Sequence, residues 1–310
     1  MSDTPVRRPR RCVDGLLLLD KPSGSTSNAA LQRVKWLYQA RKAGHTGSLD
    51  PLASGMLPLC FGEATKFAGY LLDADKTYRV QARFGSRTDT ADAEGAVVET
   101  NPRCSVPLLD LAAAVKTLEG PISQVPPMYS ALKQGGQRLY ALARAGREVP
   151  REARPVHIHA FVVESYDSHA PVLRVRCSKG TYVRTLVEDL AAILGTLAHV
   201  IALRRLAVAP YGGHPMLPMA VVEAAAHDGS AALDSLLQPL DSVLPQWPEL
   251  HLGHEEALRV RLGNSSVVPD AHAPGPVRIY GPGRLFLGVG EVLPEGRVIP
   301  RRLRAHESPG

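Results

Sequence analysis

Residues 77–84 alternate strictly, with Tyr78, Val80, Ala82 and Phe84 on one face and Thr77, Arg79, Gln81 and Arg83 on the other. A period of two is that of a half-buried β-strand, so the chain is committed to a sheet with one apolar, covered face. The opposite face of this strand is polar and basic. Further strand patterns occupy residues 15–20, 156–165, 172–178 and 199–209, and apolar residues at helical spacing lie between them. One helix starts in Ser25-Thr26-Ser27, after the turn Lys21-Pro22-Ser23-Gly24, and runs to about residue 41 with Leu31, Val34, Leu37 and Tyr38 on one face. A second covers 108–119, with Leu111, Val115 and Leu118 inward, and stops at Gly120-Pro121. A third follows Lys179-Gly180-Thr181, with Val183, Leu186, Val187, Leu190, Ile193 and Leu194 inward, and a fourth covers roughly 220–237.

Residues 87–95 form an acidic turn that joins the alternating strand to residues 96–98 like a hairpin, without the ligand spacing of a calcium loop. Residues 124–155 change character, rich in proline, glycine and basic residues, and read as an inserted lobe. The final sixty or so residues are glycine-rich and strand-like, the pattern of a small β-rich domain. With 310 residues the chain is long enough for two domains. Its longest run of large aliphatic residues, Leu16 to Leu19, is far too short to span a bilayer, and a cytoplasmic location is expected. Cys12, Cys60, Cys104 and Cys177 are too widely spaced for a disulfide framework or a CxxC site. A net charge of +6 and a pI near 9.2 favour a polyanionic partner. Residues 1–13, with Arg7, Arg8, Arg10 and Arg11, read as a basic disordered arm or a solvated tail.

The segment Gly44-His45-Thr46-Gly47-Ser48-Leu49-Asp50-Pro51 places one carboxylate among glycines and small hydroxyls. Two readings stand for Asp50. It caps a helix begun by Pro51, or it is a positioned acid in a binding cleft, with Gly44, Gly47 and Gly55 admitting close backbone approach. An acid in such a cleft needs a counter-charge, and Arg184, in the first turn of the helix after Lys179-Gly180-Thr181, is the candidate. A solvated surface cation is the alternative for Arg184. The histidines form no ligand cluster; His157 and His159 fall on the exposed face of a strand whose Val156 and Ile158 point inward. Neither a P-loop nor a dinucleotide fingerprint is present, so no metal and no cofactor are expected.

Six segments in order carry a resemblance: Leu19-Asp20-Lys21-Pro22, the Gly44 to Pro51 motif, Lys76-Thr77-Tyr78, Arg87-Thr88-Asp89-Thr90, Pro127-Met128-Tyr129-Ser130-Ala131, and Ser178-Lys179-Gly180-Thr181-Tyr182-Val183-Arg184. The chain resembles the TruB family of tRNA pseudouridine synthases, closely over residues 14–210 and more loosely beyond. Ser48 and Ser54 stand where threonine is frequent, and either hydroxyl serves. The resemblance implies an α+β fold: a mixed, mainly antiparallel sheet with flanking helices and a central RNA-binding cleft. It also implies a thumb-like lobe at 124–155 within a catalytic domain of residues 14–245, and a PUA-like domain at 246–310.

The implied activity is isomerisation of a T-loop uridine, at tRNA position 55, by a monomer without cofactor. By this resemblance Asp50 is the nucleophile, Tyr78 stacks on the base and Arg184 pairs with Asp50. Leu203 lines the uracil pocket, His45 replaces the flipped base in the RNA stack, and Tyr182 and Lys21 join the substrate site. Arg33, Lys35, Arg79, Lys133, Arg138 and Arg144 are expected phosphate contacts or solvated surface charges. Two other activities remain open: a guide-dependent synthase acting on ribosomal RNA, and an RNA chaperone without catalysis.

Overall fold

The computed structural model describes residues 10–130, 132–147, 149–268 and 273–305. The four leucines open the fold as β1 (Gly15–Lys21), a strand buried on both faces: Leu17 and Leu19 enter one core, Leu16 and Leu18 another. α1 (Ser27–Leu37) starts where the Thr26 hydroxyl accepts from the Ala29 amide at 3.1 Å. It ends earlier than its apolar spacing suggests, because Gln39 takes a left-handed φ of 51°. β2 (Ala43–His45) pairs with β3 (Ser54–Phe61), and α2 (Ala68–Asp73) follows. The buried Lys76 ammonium donates to the Leu72 and Ala74 carbonyls at 2.7 and 2.5 Å, satisfying the C-terminal end of α2.

The alternating strand is β4 (Lys76–Phe84), and its pattern holds: Val80, Ala82 and Phe84 are buried, Arg79 and Arg83 exposed. β5 (Ser86–Thr88) and β6 (Val97–Thr100) form the expected hairpin, followed by α3 (Leu108–Thr117) and β7 (Gly120–Gln124). The inserted lobe holds a minimal hairpin, β8 (Lys133–Gln134) and β9 (Gln137–Arg138), and α4 (Leu139–Arg144). β10 (Arg154–Ser165), β11 (Val172–Cys177), α5 (Val183–Ile193) and β12 (Ala198–Val208) complete the central layer. On α5 the buried stripe runs through Leu186, Val187, Leu190 and Ala191; Ile193, expected inward, is 51% exposed because it falls past the edge of that stripe on the last residue of the helix. β13 (Leu217–Pro218) leads to α6 (Met219–Asp228) and α7 (Ser230–Asp234), where one helix was expected; Gly229, at φ 107°, separates them.

Nine strands form one mixed sheet, in the order β13-β1-β3-β12-β4-β11-β10-β7 with β2 attached to β3. All pairings are antiparallel except β1 with β13 and β3 with β12. α1, α3 and α5 cover one face, with Val34, Leu111, Leu186 and Leu190 packed on Val80, Ala82, Leu173 and Val175. The C-terminal unit comprises β14 (Glu249–His251), α8 (His254–Arg261), β15 (Ser266–Val267), β16 (Gly275–Gly281), β17 (Leu285–Val292) and β18 (Arg297–Leu303), in a sheet ordered β14-β16-β17-β18-β15. Tyr280, Phe286 and Val289 of this unit share a core with Leu16, Leu18, Met56 and Phe67.

At the N-terminus, residues 1–9 of the expected arm lie outside the described residues; Arg11 bridges to Ala40 and pairs with Asp234, and Val13 is buried. Among the described residues no helix is long and apolar enough to cross a membrane. Leu186→Ala, which empties the centre of the α5 contact, is expected to lower stability by about 2–5 kcal/mol in urea unfolding.

Candidate active site

Three elements pin the loop that carries Asp50. The buried Ser27 hydroxyl at the head of α1 accepts from the Leu49 amide at 2.7 Å and donates to the Leu49 carbonyl at 3.1 Å. The Gly24 amide donates to the Pro51 carbonyl at 2.8 Å, and the Arg205 guanidinium donates to the Gly47 carbonyl at 3.1 Å. No helix follows Asp50. Pro51 and Leu52 make a turn closed by the Ala53 amide on the Asp50 carbonyl at 3.1 Å, and β3 begins at Ser54. The helix-cap reading is therefore overturned, because pairing of β3 with β1 takes the chain away as a strand.

The Asp50 side chain instead meets Arg184 in a two-point contact, Nε to Oδ2 at 3.0 Å and Nη2 to Oδ1 at 3.2 Å. Arg184 is no surface cation: it is 5% exposed. Its remaining donors reach the Thr90 carbonyl at 2.6 Å and the Tyr129 carbonyl at 2.7 Å, and Asp92 lies 3.6 Å away. Asp92 is buried, held by the Thr90 hydroxyl at 2.6 Å and the Glu94 amide at 3.1 Å. The sequence offered it only as part of an acidic turn; its spatial demand arises from a buried guanidinium 92 residues further on. Burial pushes the Asp50 carboxyl above its ordinary range; Arg184 opposes the rise and Asp92 adds to it. The Asp50 side chain nevertheless remains 38% exposed.

Tyr78 and Tyr182 both feel the Asp50 charge, and burial raises both phenols. Tyr182 sits at the head of α5, where its backbone amide donates to the Gln124 side chain at 3.0 Å, tying the base of the lobe to the helix that carries Arg184. Leu203 lies in register with Val80 and is buried. β3 meets β12 over two register pairs only, Arg204 with Ser54 and Arg205 with Gly55. Beside this seam opens a cleft of about 670 Å³, walled by Leu52 and Ser54 on one side and by Arg79, Gln81, Leu203 and Arg204 on the other. Asp50 precedes Leu52 by two residues and is not itself in that wall.

His45 ends β2, half-buried, with Nδ1 buried and without a hydrogen-bond partner. Burial, then the Arg205 charge, lowers its pKa and keeps the ring neutral. Lys21 was expected at the substrate, but it is fully buried, with its ammonium on the carbonyls of Ser25, Pro22 and Pro51 at 2.6, 2.8 and 3.5 Å. It braces the Asp50 loop from behind, and burial lowers its pKa to about 8. Arg33 is paired with Glu223 at 2.7 Å and Arg79 with Glu164 at 3.3 Å; the side chains of Lys133 and Arg138 lie outside the described residues.

The TruB family pseudouridylate synthase N-terminal domain matches residues 35–183, the tRNA pseudouridylate synthase B C-terminal domain matches 184–245, and the pseudouridine synthase II TruB C-terminal domain matches 248–303. The chain belongs to the TruB family. It is 52% identical over 299 residues to tRNA pseudouridine synthase B of Ectopseudomonas mendocina (strain ymp), covering 96% of this chain and 97% of the relative. The protein of the same description from Shigella boydii serotype 4 (strain Sb227) is 50% identical over 305 residues, with 96% and 97% covered. A Cbf5-Nop10-Gar1 complex shares the fold at a TM-score of 0.71 and 21% identity, over 94% of this chain and 84% of that one. TruB family membership makes the chain a pseudouridylate synthase, an isomerase.

Gly44 and Gly47 of the motif and Gly55 just beyond it separate physically. A Cβ on Gly55, at φ 101°, would lie 2.2 Å from the Arg205 carbonyl oxygen; Gly47 takes φ 90°; Gly44 has open space and no left-handed φ. Gly55→Ala is expected to cost about 3 kcal/mol or more, and Gly44→Ala less than about 0.5, in the same unfolding assay.

Proposed function

We propose that this chain converts uridine to pseudouridine at position 55 in the T-loop of tRNA, acting as a cytoplasmic monomer on the T-arm, with Asp50 as the reacting carboxylate. The observation that carries this reading is the Asp50–Arg184 pair, with the Asp50 side chain 38% exposed and with Tyr78 and Tyr182 near enough to feel its charge. The reaction breaks the bond from ribose C1′ to uracil N1 and forms one from C1′ to C5; the C5 proton leaves and N1 gains one, so no atom is added. A positioned carboxylate and a proton-relaying phenol suffice for this balance.

A stacked uridine must first leave the loop, which costs a few kcal/mol, and the Tyr78 ring offsets part of that by stacking on the base. In this reading neutral His45, with its unpartnered Nδ1, takes the vacated place in the RNA stack. Identities of 50–52% to proteins described as tRNA pseudouridine synthase B, against 21% to the Cbf5 complex, favour a stand-alone tRNA enzyme over a guide-dependent one. Binding and refolding a tRNA elbow needs no chemistry, so a chaperone role is compatible with the same cleft.

Asp50→Asn is expected to abolish pseudouridine formation in a T-arm transcript while RNA affinity stays within about threefold, as read by gel shift; near wild-type product would sink the assignment. Because the folded state raises the carboxyl pKa, it binds this proton more tightly than the unfolded state does. Ionised Asp50 therefore costs stability at neutral pH, and that cost fades as pH falls through the raised value. The acid limb of the wild-type rate profile should lie above the 3.8 of a free aspartate. Affinity for tRNA should fall steeply with added salt, and a flat dependence would contradict a phosphate-contacting cleft.

A further inference from the structure

Between Asp20 and Asp50 the chain carries no acidic residue, but it carries Lys21, Arg33, Lys35, Arg41 and Lys42. In this basic stretch stands Trp36, 67% exposed and, among the described residues, the most exposed Trp, Tyr or Phe. It lies on α1 about 200° round the helix axis from the buried Val34, on the side turned away from the core. An indole left in water gives up the stabilisation of burial, yet this one is not loose. The Arg33 guanidinium sits over its ring, 5.0 Å from the centroid. Arg33 is itself held, with Nε and Nη2 both donating to Glu223 Oε1 in α6 at 2.9 and 2.7 Å. As an exposed ion pair this contact adds little to stability. What it does is fix the cation that braces the ring, so a second flat group stacking there has little freedom left to remove.

We propose that Trp36 is a stacking platform, outside the catalytic cleft, for an unpaired nucleobase of the tRNA. The inference rests on the reading of tRNA as substrate and is independent of the role of Asp50. Charge selects the occupant: among the described residues no carboxylate lies within ion-pair distance of Lys35, Arg41 or Lys42, which suits a polyanion. A second copy of the chain, with a net charge of +6, is repelled by the same patch. Position agrees with charge. Ser23 and Gly24 form part of the cleft wall, and α1 begins three residues later. Asn28, Gln32 and Trp36, four apart and all exposed, lead along one helix face to the indole, about 14 Å along the axis from Ser27. Cations that follow a phosphate backbone, combined with an aromatic face for a base, are how single-stranded nucleic acid is gripped. Every base has a π-face, so this contact adds affinity without choosing the uridine that reacts.

Trp247, in edge-on contact with Tyr70 at 5.2 Å between centroids, is the other of the chain's two tryptophans. Trp247→Phe therefore leaves Trp36 as the sole indole. Adding a full-length tRNA transcript to this variant should quench its fluorescence, with saturation at the Kd read by gel shift. In the otherwise native chain, Trp36→Ala should weaken tRNA affinity about tenfold, raise KM with it, and leave kcat at saturating tRNA within about twofold. The slope of log affinity against log salt should match wild type, because stacking releases no counterions, and Trp36→Phe should recover most of the affinity. An unquenched indole, wild-type affinity in Trp36→Ala, or a Phe variant no better than Ala would each overturn the proposal. A lower kcat with unchanged affinity would make the ring a support of α1 and the Asp50 loop, and a blue shift on concentrating the protein without RNA would mark a contact between copies; either result also overturns it. A thermal melt identifies any variant that is unfolded. If wild type binds the transcript without making pseudouridine, the uridine-55 reading fails, while the quench and the affinities still decide the role of Trp36.

Discussion

A guanidinium removed from water must find an oxygen for nearly every donor, and Arg184 finds them on three separate pieces of chain, joining four in all. Asp50 comes from the β2–β3 loop, Thr90 and Asp92 from the β5–β6 turn, Tyr129 from the inserted lobe, and Arg184 itself from α5. Leaving any one of these oxygens out would strand a buried donor, at about 1–3 kcal/mol. The site is therefore assembled by a single cation rather than by contiguous packing. Of its two carboxylate partners, Asp92 is sealed and Asp50 is 38% exposed, which divides the labour: Asp92 helps neutralise, and Asp50 stays reachable.

Among the described residues, several further cations lie inside the fold without a carboxylate in contact. Lys21, Lys76 and Arg205 rest on backbone carbonyls, and burial draws both lysines down to about 8. Carbonyl oxygens supply partial charge only, so the region behind Asp50 and Tyr78 carries a positive field. That field opposes the desolvation that raises both groups. It also lies beside a cleft whose wall includes Arg79 and Arg204.

Individual strands and helices and the β-rich C-terminal unit were legible because each rests on local periodicity, whereas the α+β class and the mixed, mainly antiparallel sheet were legible only through the family resemblance. The alternation in β4, the hairpin of β5 and β6, and the inward Val156 and Ile158 of β10 follow the sequence pattern residue by residue. Helix ends were less legible: Gln39 and Gly229 break helices through left-handed backbone that composition does not announce. The Asp50–Arg184 pair was readable as a carboxylate needing a counter-charge. Asp92, Arg205 and the bracing role of Lys21 were not, since each depends on which carbonyls a buried cation meets across the fold.

The sequence by itself determined the periodicities of strands and helices, the motif that brings Asp50 forward, and the family to which the chain belongs. Tertiary structure alone decided that no helix follows Asp50, that Lys21 faces inward, and that Gly55 rather than Gly44 admits a neighbouring strand. The reason is range: periodicity acts between residues two to four apart, whereas these outcomes turn on hydrogen bonds and close contacts between segments tens to more than a hundred residues apart.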